Sequence, residues 1–247
     1  MEFYGLTHTG MVRDNNEDSF AVFGDGYGTL PNLAIVADGM GGHQAGEVAS
    51  RLSIEFFLEY IDNNKADTDG IMDLLTGAVQ YANAKVYERA QGARELHGMG
   101  TTFTAFVCDN GRLNVAHVGD SRLYVIEDKN LRQITSDHTY VYEMVKAGHI
   151  TPAEARVHPR RNALTKAIGI DEKVGADGYI VELSESSVVL ICSDGLTDML
   201  SEEEIANTVG QFDNIESCAE KLIENANKNG GVDNITVVLA KAERWTK

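Results

Sequence analysis

Four aspartates in this chain stand at the ends of apolar runs. Ile35-Val36-Ala37 leads into Asp38-Gly39, and Val189-Leu190-Ile191-Cys192-Ser193 leads into Asp194-Gly195. The run ending at Val118 leads through Gly119 to Asp120, and Asp233 stands just before the run from Ile235 to Ala240. Runs of this kind read as buried strands, so each delivers a carboxylate at a strand end, and the two Asp-Gly pairs read as glycine turns. One Asp-Gly pair is an ordinary turn, but four carboxylates in the same setting suggest a site. If they converge, each pair repels by about 4 kcal/mol at ~4 Å and an effective dielectric near 20, so the cluster needs protons or cations. Aspartates, a glycine carbonyl and water make an all-oxygen donor set suited to hard divalent ions, Mg²⁺ or Mn²⁺. Zinc is disfavoured, because no His-x3-His or Cys-x2-Cys spacing occurs.

A second group stands immediately before the strand that begins at Ser19: Arg13-Asp14-Asn15-Asn16-Glu17-Asp18. Alone, such a hexad is a solvated loop. Beside a metal cluster, its arginine is what a phosphate site needs, because guanidinium binds phosphate oxygens in a fixed fork. Other phosphate and acyl-transfer chemistries lack their parts. Met40-Gly41-Gly42 has no Gly-Lys-Ser/Thr after it, no Gly-x-Ser-x-Gly elbow occurs, and no cysteine begins a Cys-x5-Arg loop.

The formal net charge of −17 argues against nucleic acid or an anionic membrane as partner, since both are bound through basic patches. An anionic substrate then requires cations and placed arginines to reverse the field locally. Cys108, Cys192 and Cys218 are odd in number and set in apolar or helical sequence, as reduced thiols of a cytoplasmic protein would be. No basic, then apolar, leader opens the sequence, and nowhere do 18 apolar residues run together, so a cytoplasmic protein without membrane insertion is expected.

The elements that must position these residues are legible as patterns. Strands are expected near 2 to 8, 19 to 24, 33 to 38, 101 to 108, 112 to 118, 121 to 127, 177 to 183, 187 to 192 and 234 to 241. Asp109-Asn110-Gly111 predicts a hairpin and therefore antiparallel pairing. One amphipathic helix runs from about Ala45 to Ile61, and a second uses Ile71, Leu74, Leu75, Ala78, Val79, Ala82 and Val86 at helical spacing. Ser201 with Glu204 reads as a capping box, and Ile215 to Asn229 as a helix stopped by Gly230-Gly231. Strands grouped apart from helices imply an α+β fold with helices covering sheets, and no linker divides the 247 residues, so one domain spans 1–247. Residues 136–170 break the pattern. They hold the basic cluster Arg156, Arg160 and Arg161 and a helix start at Thr151-Pro152, and read as a surface flap, either functional or a solvated insertion.

With these residues in place, a family resemblance is evident. R-D-N-N-E-D at 13 to 18, A-D-G-M-G-G-H at 37 to 43, G-M-G-T-T at 98 to 102, H-V-G-D-S-R-L-Y at 117 to 124, D-H-T at 137 to 139, H-P-R-R-N at 158 to 162, S-D-G-L at 193 to 196 and D-N-I-T at 233 to 236 occur in order across nearly the whole chain. The sequence resembles a bacterial member of the metal-dependent Ser/Thr protein phosphatases, the PPM or type 2C family. The resemblance implies a four-layer α-β-β-α sandwich of two antiparallel sheets flanked by helices, with a flap subdomain at 136–170. It also implies two Mn²⁺ or Mg²⁺ ions in a cleft and hydrolysis of phosphoserine and phosphothreonine by a water bridging them.

Carried over residue by residue, the resemblance makes Asp38 the bridge between the ions. Gly39 ligates one through its carbonyl, and Asp194 and Asp233 ligate the other. Glu17 and Asp18 orient waters at the metals, Arg13 holds the phosphate, and Asp120 with Asp194 matches a third-metal site that Asp198 could join. The implied partners are phosphoproteins and a cognate Ser/Thr kinase, for a chain acting as a monomer.

One departure stands out. Animal relatives have a histidine directly after the Asp-Gly pair, as proposed proton donor to the leaving oxygen; here that position is Met40. His43 is the candidate substitute, or else a polar residue ahead of the helix near Ala45. Two rival readings stay open at this point: another metal-dependent phosphohydrolase such as a nuclease, and a catalytically weak phosphoprotein-binding module of the same fold. A decayed module would lack a ligand, whereas Asp38, Asp194 and Asp233 are all present.

Overall fold

The computed structural model describes residues 1–42, 45–66 and 70–241. One sheet has five strands in the order β1 (Glu2–His8), β11 (Ile235–Lys241), β10 (Val188–Cys192), β7 (Arg122–Glu127) and β8 (Asn130–Gln133). The other runs β2 (Asp18–Phe23), β3 (Leu33–Met40), β5 (Phe103–Asp109), β6 (Arg112–Val118) and β9 (Asp177–Glu182), with the short β4 (Gly100–Thr101) paired to the end of β3. Every pairing is antiparallel. Asn110 and Gly111 close the β5–β6 hairpin with φ of 49° and 81°, the left-handed pair such a two-residue turn requires.

Strand alternation builds the layers. In β3, Leu33, Ile35 and Ala37 face the helices α1 (Ala45–Asn63) and α2 (Ile71–Gly92), while Ala34 and Val36 face the other sheet. In β11, Val237 and Leu239 pack under α6 (Glu202–Val209) and α7 (Ile215–Lys228), and Val238 and Ala240 face inward between the sheets. Helices, sheet, sheet and helices therefore form the four layers expected. The helices end where their caps dictate: Ser201 and Glu204 complete the capping box of α6, and the Asn214 side chain accepts from Ser217 N at 2.8 Å to open α7. Among the described residues no helix is long and apolar enough to cross a membrane.

Three elements differ from the pattern reading. Asp38-Gly39 is not a turn: β3 continues through Met40 because β4 pairs with Gly39 and Met40. The run expected over 101 to 108 is broken accordingly at Thr102, whose N–H donates to the Asp38 carbonyl at 2.9 Å. Asp194-Gly195 is not a turn either, but opens a short helix, α5 (Asp194–Thr197), closed by Asp198 N donating to Asp194 O at 2.7 Å. A Cβ on Gly195 would collide with the Asn234 carbonyl, so glycine here permits a close backbone approach rather than a bend. The unanticipated β8 is a polar edge strand, reached through Asp128 and Lys129 at positive φ without a glycine to signal the turn.

Residues 136–170 hold α3 (Tyr140–Lys146) and α4 (Pro152–Arg156), the latter with the capping box of Thr151 and Glu154. The segment is tied to the body at its base. His138 N donates to Gly119 O at 2.7 Å, and Thr101 and Ile168 exchange backbone hydrogen bonds of 3.0 and 2.9 Å.

Asn32 shows how side chains extend the frame carrying β3. Its amide stands in for a strand residue beyond the last β3–β5 backbone pair, accepting from Cys108 N at 2.8 Å and donating to Cys108 O at 2.7 Å inside the protein. Replacing it by leucine strands one buried donor and one buried acceptor, which should cost about 3 kcal/mol. Urea denaturation of Asn32→Leu measures this; an unchanged midpoint would show that water replaces both contacts.

Candidate metal centre

Counting by twos from the apolar layer between the sheets identifies the residues at its end. Phe20 and Val22 of β2 face that layer, so Asp18 does too; Ala34 and Val36 of β3 bring Asp38 to the same face. Asp18 and Asp38 are also register partners on adjacent strands. The same parity places Ser193 after Val189 and Ile191, Thr236 before Val238, and Thr102 and Thr104 before Phe106. The inter-sheet core thus changes from apolar to polar at one end, and that end is the site.

The buried Asp18 is held by this lining. Thr236 Oγ1 donates to its Oδ2 at 2.6 Å and Ser193 Oγ donates to the same oxygen at 2.8 Å. Its Oδ1 is buried without a hydrogen-bond partner. Burial raises the Asp18 pKa to about 6, against the two hydroxyls, which favour the ionised form. Asp38 is pushed well above the ordinary carboxylate range, first by burial and then by the charges of Asp18, Asp194, Asp120 and Asp233. Asp194 is raised in the same way, by burial and then by Asp120, Asp198, Asp233 and Asp18. Asp120 rises to about 7 through burial and the neighbouring Asp137, opposed by Arg122. All five aspartates expected at the metal site, as ligands or beside bound water, therefore act on one another across sequence separations of up to 215 residues, Asp18 to Asp233.

Gly39 lies in the strand beside Asp38, so closely packed on the Gly46 and Glu17 carbonyls that no side chain fits. Glu17 rests its carboxylate on Gly46 in the first turn of α1, where a Cβ would lie 2.7 Å from the Glu17 Cδ. Burial raises the Glu17 pKa, opposed by Arg13. Arg13 Nη2 meets Asp233 Oδ2 at 2.7 Å with its side chain half exposed, which leaves the guanidinium open to solvent and any bound anion. Asp198 lies one helical turn after Asp194, and Arg161 Nη2 donates to its Oδ2 at 3.2 Å. A cavity of about 720 Å³ separates α3 and α4 from the cluster, with Asp120, Asp194, Asp198, Arg156 and Arg161 in its wall. His43, the candidate proton donor, lies outside the described residues; Met40 packs at Gly100 beside Ile170.

Several residues with a part in the site carried no role in the sequence reading. Ser193 and Thr236 anchor Asp18. Asn234, buried, accepts from Glu17 N at 2.8 Å and donates to the carbonyls of Thr9 and Asn15 at 2.9 and 2.8 Å, fastening the Arg13 loop beside Asp233. Thr102 Oγ1 accepts from Asp38 N at 2.9 Å and pairs with Ser121 Oγ at 2.7 Å. The usable signal was parity: each of Thr102, Ser193 and Thr236 lies an even number of positions from an inward apolar residue of its strand.

The site fits hard cations by chemistry. Its donors are oxygens, its carboxylates raise one another's pKa, and one buried carboxylate oxygen lacks a partner. Among the described residues no three His, Cys, Asp or Glu side chains close on a common point as a finished cage.

Comparisons with known proteins bear on the family and the fold. The family model described as protein phosphatase 2C matches residues 11–239. The chain is 37% identical over 243 residues to the serine/threonine phosphatase stp of Listeria monocytogenes, covering 98% of this chain and 96% of that one. It is similar in structure to the serine/threonine phosphatase Stp1 from Staphylococcus aureus, with a TM-score of 0.92 at 37% identity over 98% and 95% of the two chains. The catalytic domain of the phosphatase PstP, solved in complex with two manganese ions, matches with a TM-score of 0.83 at 38% identity over 97% of each chain.

Cation binding should stabilise the fold, since a ligand at a hundred times its Kd adds about 2.7 kcal/mol, or roughly 5 to 10 °C for a chain of this size. A carboxylate whose folded pKa is raised gives up its proton at higher pH, and cations compete with those protons. The Mn²⁺-induced rise in melting temperature should therefore grow as pH increases through about 6 to 7, where Asp18 and Asp120 titrate in the metal-free protein. Differential scanning fluorimetry with Mn²⁺ and with chelator, from pH 5 to 8, measures this; no shift at any pH would show that the cluster does not hold the ion.

Proposed function

The chain belongs to the protein phosphatase 2C family and is a serine/threonine phosphatase, and from that premise we propose that Asp38, the Gly39 carbonyl, Asp194 and Asp233 hold two Mn²⁺ or Mg²⁺ ions. In the same reading Asp120 and Asp194 form a third cation position adjoined by Asp198. The observation that carries it is the convergence of these carboxylates at the polar end of the inter-sheet layer, each raising the pKa of others. When bound, the ions supply an activated water and neutralise charge on the transferring phosphoryl group.

The chain's own residues do the positioning. Arg13, fixed beside Asp233, binds phosphoryl oxygens in its fork and holds phosphorus in line for attack. Asp18, its Oδ2 occupied by Thr236 and Ser193, offers Oδ1 to accept a hydrogen bond from the attacking water. Glu17, directly before β2 with its carboxylate against the start of α1, adds a second acceptor. Water as nucleophile is supported by the state of the candidate side chains among the described residues. Burial pushes the Cys192 thiol up to about 12, and the Ser193 and Thr236 hydroxyls are committed as donors to Asp18. A nuclease reading is disfavoured by the net charge of −17, which repels a polyanion.

Residues 136–170 act as a flap subdomain of a single domain spanning 1–247, bordering the cavity through Arg156 and Arg161. The substrates are phosphoproteins, and the opposing partner is a Ser/Thr protein kinase that installs the same monoesters. The chain acts as a monomer in the cytoplasm, a reducing compartment that suits Cys108, Cys192 and Cys218, all buried as free thiols.

Asp38→Asn should abolish hydrolysis of a phosphothreonine peptide, because one substitution loosens both ions. Steady-state release of phosphate measures it, and wild-type turnover in that variant would remove Asp38 from the centre. Arg13→Ala should raise KM for the peptide about tenfold or more, as loss of a charge-assisted contact of ~1.5 to 3 kcal/mol requires. Chelation should bring turnover to background and Mn²⁺ or Mg²⁺ should restore it; activity that survives exhaustive dialysis against EDTA would end the metal assignment.

A further inference from the structure

Among the described residues seven large hydrophobic side chains are exposed, and three of them adjoin the phosphate end of the site. Met11 and Val12, 66% and 65% exposed, directly precede Arg13; Val232, 43% exposed, directly precedes Asp233. Singly exposed hydrophobics are ordinary on a protein surface. These three share one rigid mount. Met11 N donates to Gly231 O at 2.7 Å, and two residues further on in each turn Arg13 pairs with Asp233 at 2.7 Å.

Glycines make the mount possible. At Gly10, with φ +84°, a Cβ would overlap the Asp233 carbonyl; at Gly231, with φ +49°, it would lie 2.9 Å from Met11 Cγ. Asn234 fastens the same loop through Thr9 and Asn15. Val232 also lines the cavity that reaches Asp120, Asp194 and Asp198, so the apolar surface meets the site at that residue.

We propose that Met11, Val12 and Val232 form an apolar ledge that receives an apolar side chain of the substrate polypeptide, one or two positions from the phosphoserine or phosphothreonine held at Arg13. The proposal rests on the phosphatase reading of the site. In an extended peptide, residues one and two positions from the phosphoresidue lie about 3.4 and 7 Å along the chain, which is the reach of side chains flanking Arg13. An acidic flanking residue would meet the Asp233 carboxylate and a chain of net charge −17, so the charge around the ledge selects against acidic neighbours and leaves the choice among the others to apolar contact.

The test is a set of phosphothreonine peptides with Gly and Ser flanks, each carrying one leucine at −2, −1, +1 or +2, assayed with the full chain and Mn²⁺. One leucine position should raise kcat/KM about tenfold over its serine counterpart, as partial burial of a leucine side chain requires. In the Met11→Ser, Val12→Ser, Val232→Ser triple variant the leucine-to-serine ratio, taken within that one enzyme, should fall to about one; Val12→Ser alone should lower it in part. Equal rates across all wild-type peptides would overturn the ledge while leaving the phosphatase reading intact, as would an undiminished ratio in the triple variant. Failure of the wild type to hydrolyse any of the peptides would overturn both.

Discussion

Like charges gathered in a confined space are the constraint on which this molecule depends. Five aspartates, Asp18, Asp38, Asp120, Asp194 and Asp233, act on one another at one end of a two-sheet core, and burial compounds the repulsion for Asp18, Asp38, Asp120 and Asp194. A flexible chain would move them apart. They stay because each is carried by an element with little freedom: Asp18 and Asp38 by paired strands, and Asp194 by a helical turn wedged against the Asn234 carbonyl. The three clusters of apolar packing, two under the helices and one between the sheets, keep those elements rigid. Repulsion stored in this way is relieved by positive charge, so the fold and its affinity for cations have one origin.

Around the carboxylates lies a layer of neutral hydrogen-bonding groups that holds orientation without adding charge. Thr236 and Ser193 on Asp18, Thr102 on the Asp38 backbone and Asn234 on the loop from Thr9 to Glu17 all come from strands or strand ends of the two sheets. Because these partners belong to different elements, a small change in how the sheets meet would alter the site as a whole. The segment 136–170 is tied to the same region through His138, which donates its backbone N–H to Gly119 and accepts from Gly119 N at its Nδ1, next to Asp120. Its position over the cavity is therefore coupled to the cluster beneath it.

Charge distribution explains how so acidic a chain can receive an anion. A net charge of −17 repels phosphate at long range, and screening limits that field to about 8 Å at physiological ionic strength. Within that distance the proposed cations, together with Arg13, would decide the local sign. The apolar surface of Met11, Val12 and Val232 beside Arg13 adds recognition that does not work against the acidic background.

Residue types and their local rhythm were enough to establish much of this. Period-two runs located most strands to within a residue or two, Asn110-Gly111 specified its hairpin, the capping boxes at Thr151 and Ser201 formed as written, and the ordered motifs identified the family. These are short-range properties, set by φ/ψ preferences and by which side chains can cap or turn the neighbouring backbone. Other features depended on partners far along the chain. The Asp38-Gly39 pair read as a turn until Thr101 and Gly100 paired with Gly39 and Met40, the polar β8 became a strand only at the sheet edge, and α3 lay in sequence of weak periodicity. Arg13 and Asp233 are separated by 220 positions, and Asp18 and Thr236 by 218, so no local pattern could have joined them. The sequence alone determined which groups could bind metal and phosphate; the tertiary structure decided which of them meet, because only closure of the two sheets brings those strand ends together.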